Sequence, residues 1–512
     1  MNGLEPLPDA RAMRAADAAA IEAGLPGAGL MERAGRGLAE VVARDLPEGL
    51  IAIVCGKGNN GGDGYVAARV LREAGREVRV LAAAPTAELE GDAWSAADAL
   101  SGEAPVPVEP GALDGAAGVV DCLLGTGSSG APRGWAADAI RLVRGAGLPV
   151  IACDVPSGVD ASTGAVADLQ TVVRAHATVT FAAAKPGLWI NPGKGCAGTV
   201  HVVDIGLQER WADAPITLAG RGVLGALPAR GTAATKLTAG HVLVVGGSRG
   251  LTGAVCLAAS AAARAGAGYV TALVPASLEA IFEVKLTEVM TRGLADADGA
   301  LAVEAAQQAL SEATKHPGAL VLGGGLGRAE ATRDMAIELA EECPLPLVLD
   351  ADGLNAFADQ ARWLRPRAAA TILTPHAGEL GRLLGVESGE VERERLGHAR
   401  AAATQADAVV VLKGDDTLVA APDGRVVVSP GGAPGLATAG TGDVLAGVCG
   451  ALLAAGVDAF SAAVMAVQLH VRAGQLAAGA AGSARAVIAS DVVAQLGHAD
   501  DPARPSQLAR RP

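Results

Sequence analysis

Twice along its 512 residues the chain repeats one pattern: a short run of Val, Ile, Leu and Ala, a glycine-rich loop, then an Ala-rich helical stretch. That alternation constrains the fold more than any other feature. Strands separated by helices pair in parallel, so each half requires an α/β layer structure with a parallel sheet. In the first half the pattern predicts strands at Ile51–Val54, Val78–Leu81, Gly118–Cys122, Pro149–Cys153, Ala177–Phe181 and Thr199–Val203, with helices over residues 10–45 and from Asp63 to Ala74. Over residues 205–232 the period breaks down, and a boundary is placed there. A second series runs through His241–Val245, Tyr269–Val274, Ala319–Leu322, Leu345–Leu349, Thr371–Leu373 and Ala408–Leu412. Leu418–Ala421 and Arg425–Ser429 flank Pro422-Asp423-Gly424 and read as a hairpin. Helical stretches follow over residues 443–497.

Half of the residues are hydrophobic but only 2% are aromatic, so the interior must be built from Ala, Val and Leu. A net charge of −14 argues against a nucleic acid or an anionic membrane as partner. The apolar runs near 250–263 and 444–457 are broken by Arg264 and Asp458, short of the roughly 20 residues of a spanning helix. Glu5 and Asp9 do not suit a signal peptide, and a cytoplasmic protein is expected. The seven cysteines are far apart with no Cys-x-x-Cys, which indicates neither a disulfide framework nor a zinc site.

Glycine loops at strand ends are where ligands of parallel sheets bind. Gly56-Lys57-Gly58-Asn59-Asn60-Gly61-Gly62-Asp63-Gly64 follows the first strand and leads into a helix, so its N–H groups suit a pyrophosphate. It is not the G-x-G-x-x-G fingerprint, and a standard nicotinamide dehydrogenase is not supported. Asp121, the run Gly125-Thr126-Gly127-Ser128-Ser129-Gly130, the segment Asp154-Val155-Pro156-Ser157-Gly158 and Lys185-Pro186-Gly187 lie at other strand ends of the same series. Oxygens of Asn60, Asp121 and Ser157 suit a hard cation, and Asp154 suits proton transfer. Singly, each segment reads as a turn or cap; together they mark a site.

In the second half Gly440-Thr441-Gly442-Asp443 opens directly into an apolar helix. Backbone N–H groups free at that helix start, with the dipole, suit a phosphoryl group or an oxyanion. Asp443 on the first turn could take a proton from a substrate hydroxyl, which suggests phosphoryl transfer or elimination on a small hydroxylated molecule. Read alone, these residues are an ordinary cap with a dipole-stabilising Asp. Their weight comes from the preceding series: Gly246–Ala254, Gly323–Gly327, Asp350–Asn355, Thr374–Glu379 and Lys413–Thr417.

Asn59–Gly64, Gly125–Gly127 and Asp154–Gly158 together resemble the NAD(P)H-hydrate epimerase family, a Rossmann-like three-layer domain expected here over residues 1–215. The family interconverts the R and S hydrates at C6 of the nicotinamide ring. The resemblance implies substrate contacts at Asn59, Asn60, Gly61, Gly62, Asp63, Gly125, Thr126, Gly127, Ser128, Ser129, Gly130, Ala131 and Asp154. It implies a potassium ion held by Asn60, Asp121 and Ser157, and Asp154 as the catalytic acid/base. Arg33 stands where that family usually has Asn.

The second motif series resembles the ADP/ATP-dependent NAD(P)H-hydrate dehydratase family, with a ribokinase-like fold, over residues 221–498. It implies hydrate contacts at Ala254, Gly327, His376 and Asp443, the last also catalytic. It implies adenine nucleotide contacts at Lys413, Gly414, Asp415, Asp416, Thr417 and Gly442, with Mg²⁺ accompanying ADP or ATP. Gly324, Leu436 and Ala439 depart from the common family residues. Relatives of both halves assemble, so a homo-oligomer is expected, and residues 499–512 are expected to be a disordered tail. The competing reading is a small-molecule kinase such as hydroxyethylthiazole kinase, which shares the Gly-Thr-Gly-Asp turn.

Overall fold

The protein is represented by a computed structural model in which residues 2–207 and 211–500 are described. Most of the tail expected to be disordered lies outside these residues; Ala499 ends the last helix, Ala489–Ala499. The chain divides into two compact units. One holds Pro6–Thr217 with Glu392–Arg395; the other holds Leu218–Val391 and the chain from Leu396, together with the residues up to Glu5.

The N-terminal unit is built on a seven-stranded sheet in the order Val106–Pro107, Val78–Ala82, Leu50–Cys55, Ala116–Cys122, Val150–Cys153, Ala177–Phe181, Thr199–Val203. Every pairing is parallel. Alternate residues of Leu50–Cys55 serve two separate cores. Ile51, Ile53 and Cys55 pack with Leu38 and Val42 of the helix Gly27–Asp45. Ala52 and Val54 pack with Ile140 and Val143 of the helix Trp135–Gly145. Burial on both faces is why these strands read as unbroken apolar runs. From Leu50–Cys55 the chain works outward to one edge, then returns to Ala116–Cys122 and works outward to the other. The crevice for a ligand is thus fixed between the carboxyl ends of those two strands.

Two local features differ from the sequence reading. Residues 10–45 form two helices, Ala10–Glu22 and Gly27–Asp45, because Gly24 turns with φ +91° and Pro26 disfavours helix at the residue before it. The helix expected from Asp63 begins at Asn59, so Asn59-Asn60-Gly61-Gly62 is its first turn and not a loop before it. Only glycine fits at two points there: a Cβ on Gly56 would sit 2.0 Å from the Leu123 carbonyl oxygen, and one on Gly61 2.0 Å from that of Gly56.

The sheet of the C-terminal unit has eleven strands, with His241–Val245 between Tyr269–Pro275 and Gly318–Leu322. Pairing is parallel from Met290–Leu294 across to Val409–Leu412, then antiparallel through Leu418–Ala420 and Val426–Val428, the expected hairpin. Val242 and Val244 enter a core with Ala258, Val448 and Val464 from the helices Thr252–Arg264, Thr441–Ala454 and Ala459–Ala481. The order reverses between His241–Val245 and Gly318–Leu322, which brings the loops at Gly246 and Gly323 to one crevice. Among the described residues, no helix is long and apolar enough to cross a membrane.

Candidate active sites

In the N-terminal unit a cavity of about 630 Å³ opens at the crevice, lined by Asn59, Asn60, Asp63, Gly125, Thr126, Gly127, Ser128, Asp154 and Lys185. Asp154 follows the strand Val150–Cys153 with a positive φ of 67°, which turns its carboxylate off the sheet. Oδ2 accepts from the Thr126 N–H at 3.0 Å and from its hydroxyl at 2.9 Å. Oδ1 accepts from Lys185 Nζ at 2.8 Å and from the Thr180 hydroxyl at 3.3 Å. Lys185 is 1% exposed and also donates to Thr180 Oγ1 and the Phe181 carbonyl. Burial alone would raise the Asp154 carboxyl, but the Lys185 charge and these hydrogen bonds hold it below the ordinary range. Burial, reinforced by the Asp154 charge, pushes the Asp63 carboxyl well up. The two carboxyls of the cavity are thus shifted in opposite directions, Asp154 down and Asp63 up.

Below the cavity floor, Asp121 is fully buried. It accepts from the Ser157 hydroxyl at 2.7 Å, from the Ser157 N–H at 2.9 Å and from the Leu123 N–H at 3.2 Å. Burial, only partly offset by those hydrogen bonds, raises it to about 6. Both side-chain polar atoms of Asn60 are buried without a partner. Gly125 closes against it: a Cβ there would sit 3.2 Å from Asn60 Cβ and 3.3 Å from Asp154 Oδ2. Gly61 and Gly62 are buried in the helix turn, whereas Ser129, Gly130 and Ala131 are exposed and do not line the cavity.

In the C-terminal unit Gly440 caps the helix Thr441–Ala454 with φ +90°. A Cβ at Gly440 would meet Leu257 Cδ1 at 2.6 Å, so glycine is required. Val444 is the first residue to bond back, to the Gly440 carbonyl at 3.2 Å; the N–H groups before it have no intrahelical acceptor. The Thr441 hydroxyl ties down the approach, donating to the carbonyls of Leu436 at 2.8 Å and Thr438 at 2.9 Å. Asp443 is aimed at the crevice: a Cβ on Gly324 would lie 2.9 Å from its Oδ1 and 3.3 Å from Ala254 Cβ. Burial first, then the charge of Asp350, raises Asp443 to about 7. Lys413 Nζ donates to Asp350 Oδ1 at 2.9 Å and lies 3.5 Å from Glu379 Oε2. It would also lie 3.5 Å from a Cβ on Gly442, so a cation stands at the mouth of the amide turn.

Lys413, Gly414, Asp415, Thr417 and Gly442 line one cavity of about 280 Å³. Asp416, grouped with them from the sequence, is 1% exposed and is not part of the cavity wall. Gly327 lies apart from that cavity, its N–H donating to Asp352 Oδ2 at 2.9 Å. His376 is the cap of the helix Ala377–Leu384: its Nδ1 accepts from the N–H of Gly378 at 3.0 Å and of Glu379 at 3.3 Å. Glu379 links it to Lys413. The sequence reading gave no role to Lys185, Asp350 or Glu379 and did not single out His470, which also lines the 280 Å³ cavity.

Residues 27–187 match the family model of the YjeF-related protein N-terminus, and residues 242–495 match that of NAD(P)H-hydrate dehydratase. The bifunctional NAD(P)H-hydrate repair enzyme of Moorella thermoacetica is 39% identical over 488 residues, covering 92% of this chain and 91% of that one. The enzyme of the same name from Salinibacter ruber is 41% identical over 528 residues, covering 95% of each. The chain belongs to the bifunctional NAD(P)H-hydrate repair enzyme family. A solved structure of ADP/ATP-dependent NAD(P)H-hydrate dehydratase from Bacillus subtilis, co-crystallised with ATP and Mg²⁺, is 29% identical and covers 54% of this chain and 94% of that one, with a TM-score of 0.46. Both halves of the repair family are therefore present in one chain, each with its own crevice and its own aspartate.

Proposed function

We propose that the N-terminal unit epimerises NAD(P)H hydrate at C6 and that the C-terminal unit dehydrates the S form back to NAD(P)H at the expense of ADP or ATP. The observation that carries the reading is the pair of crevices, one setting Asp154 beside the Asn59–Gly62 and Gly125–Ser128 turns and the other setting Asp443 beside the Gly440–Gly442 turn, in a chain that matches its family along nearly its whole length.

In the epimerase site, C6 of the hydrate is a hemiaminal carbon, and its configuration scrambles through an opened or dehydrated form. Asp154, paired with Lys185, takes the hydroxyl proton and returns it, and Asp63, whose carboxyl burial and the Asp154 charge push up, lies on the same cavity wall. The Asn59–Gly62 turn and Gly125–Ser128 hold the dinucleotide, with Ser129–Ala131 reached only by its outer part. The unpartnered amide oxygen of Asn60, with Asp121 and Ser157, fits a potassium ion, which would neutralise the buried Asp121 carboxylate and fix the two loops.

In the dehydratase site, Asp443 accepts the proton of the 6-hydroxyl as that oxygen attacks the terminal phosphoryl group of the nucleotide. The amides of Gly440–Gly442 and Lys413 stabilise the phosphoryl oxygens. The C6–O bond then breaks with loss of phosphate, the C5 proton leaves, and the C5=C6 double bond returns. Phosphate is a far better leaving group than hydroxide, which is what the nucleotide contributes. Mg²⁺ would accompany the nucleotide phosphates and help neutralise their charge. Ala254, Gly327 and His376 flank the hydrate.

The test is to incubate the protein with hydrated NADH, Mg²⁺ and each nucleotide, following absorbance at 340 nm and free phosphate. Recovery of absorbance with equimolar phosphate is expected. A stable phosphorylated product without reduced coenzyme would make the C-terminal unit a small-molecule kinase instead.

A further inference from the structure

Three arginines from three elements of the C-terminal unit converge on a second cavity of about 350 Å³. Arg328 follows Gly327 in the loop after the strand Gly318–Leu322, Arg333 lies near the start of the helix Glu330–Glu342, and Arg382 lies on the helix Ala377–Leu384. Arg333 Nε donates to the Ala356 carbonyl at 3.3 Å, and Arg382 Nε donates to Asn355 Oδ1 at 2.8 Å. Each bond anchors a guanidinium by its inner nitrogen and leaves the two terminal nitrogens available. Among the described residues, none of the three arginines is paired with a carboxylate. Asp352 is the one acidic side chain of the wall among the described residues, and it is already engaged. It accepts from the Gly327 N–H at 2.9 Å and from Asn355 Nδ2 at 3.3 Å. The cavity therefore carries a surplus of positive charge, in a chain whose net charge is −14. Like charges gathered without partners call for an anion.

The cavity adjoins the crevice of Asp443. A Cβ on Gly324 would lie 2.9 Å from Asp443 Oδ1, and Leu326 and Gly327, two and three residues further along the same loop, are in the cavity wall. Three residues span at most about 10 Å. An anion held here thus lies close to the hydroxyl that Asp443 meets. In the hydrate a single ribose separates the nicotinamide ring from the pyrophosphate, whereas the 2′-phosphate of NADPH lies beyond a second ribose. The adenine nucleotide has its own cavity at Lys413 and Gly442, and no described residue lines both. We propose that Arg328, Arg333 and Arg382 form the site for the pyrophosphate of the dinucleotide hydrate, holding it while the ring end reaches Asp443. A pyrophosphate diester carries a negative charge on each phosphorus, and arginine meets phosphate oxygens with two parallel N–H donors. This rests on the hydrate reading of the C-terminal unit.

The experiment measures dehydration with ATP and Mg²⁺ in wild type, Arg328→Gln, Arg333→Gln, Arg382→Gln and Arg328→Lys. The substrates are the hydrates of NADH, of NADPH and of reduced nicotinamide riboside, which has no phosphate. Wild type is expected to show a KM for the riboside hydrate about a hundredfold above that for NADH hydrate. Each Gln variant should raise the KM about tenfold for NADH and NADPH hydrates alike, with kcat and the KM for ATP within about twofold of wild type. Arg328→Lys, which keeps the charge, should recover part of the loss. On the riboside hydrate the Gln variants should match wild type; a merely structural arginine would impair that substrate as well. Gln variants that keep the wild-type KM for NADH hydrate overturn the inference. An effect confined to NADPH hydrate would assign the arginines to the 2′-phosphate, and an effect on the KM for ATP would assign them to the nucleotide; either overturns it. So do equal wild-type KM values for the riboside and NADH hydrates, a result that needs no variant to fold. Failure of wild type to regenerate NADH from its hydrate would overturn the hydrate reading itself, a distinguishable result.

Discussion

Asp154 and Asp443 occupy corresponding places in the two units, each at the crevice beside a glycine turn, yet their environments push them in opposite directions. Asp154 is paired at 2.8 Å with a lysine that is itself 1% exposed, and its carboxyl lies below the ordinary range. Asp443 has no comparable direct partner among the described bonds, neighbours Asp350 and Asp352, and rises to about 7. The lesson is that one residue type serves two chemistries through its neighbours. In the proposed reactions Asp154, held below the ordinary carboxyl range by Lys185, shuttles a proton reversibly, while Asp443, raised to about 7, is placed to act as a base near neutrality.

The strongest way to break the contrast is at Asp443. Asp443→Asn should lower dehydration about a thousandfold or more, leave ADP and ATP binding within about threefold, and leave epimerisation untouched. Absorbance recovery at 340 nm and nucleotide titration check this; a loss below tenfold removes Asp443 from the role of base. Asp154→Asn should do the reverse, slowing exchange of the R and S hydrates about a hundredfold or more while dehydration of pure S hydrate continues at the wild-type rate. Unchanged exchange would leave the N-terminal unit a binding module.

Lys185→Met sharpens the comparison by giving Asp154 an environment more like that of Asp443. The carboxylate would lose its buried cation, the unit should lose about 3–5 kcal/mol of stability, and epimerisation should become dependent on pH near neutrality. Chemical denaturation at pH 8 and the pH profile of hydrate exchange measure both effects. The double variant Lys185→Met with Asp154→Asn should recover much of the stability, because no unpaired charge remains. If Lys185→Met alone is as stable as wild type, the ion pair is not what holds Asp154 ionised.

Much of this contrast was legible in the sequence and part was not. Gly56–Gly64 and Gly440–Asp443 announce themselves because a turn that admits no Cβ demands glycine, and because both segments adjoin apolar runs buried on two faces. Strands such as Leu4–Pro6, Val106–Pro107 and Ile216–Ala219 stayed hidden, since two to four residues carry no period. The opposite shifts of the two aspartates also stayed hidden. Lys185 lies 31 residues beyond Asp154, and lysine ordinarily faces solvent, so only the fold brings them together. Asp350 and Lys413, which tune Asp443, are 63 residues apart on different strand ends. His376, which the family resemblance makes a hydrate contact, also caps the helix Ala377–Leu384, as a histidine beside proline often does; His470, which no motif marks, lines a cavity.

The mildest perturbation is pH itself. An acid raised to about 7 in the folded protein works as a base only above that value, so the kcat/KM of dehydration should fall about tenfold per unit below pH 7 and level off above pH 8. Asp154, held below the ordinary carboxylate range, stays ionised through the same interval, so hydrate exchange should be flat from pH 8 to pH 5. The stability consequences have opposite signs as well. For Asp154 the ion pair adds stability at pH values above the unfolded carboxyl value, and this is lost only as acid brings the pH through its lowered folded value. For Asp443 the unfolded chain ionises first, near pH 4, so stability is lost progressively as pH rises from there to about 7 and stays lost above it. Asp443→Asn should therefore raise the Tm of the C-terminal unit at pH 8 and leave it nearly unchanged at pH 4, while Asp154→Asn should lower the Tm of the N-terminal unit at pH 8. Parallel shifts in the two variants would mean that the aspartates share one environment, and the division of labour between base and shuttle would not stand.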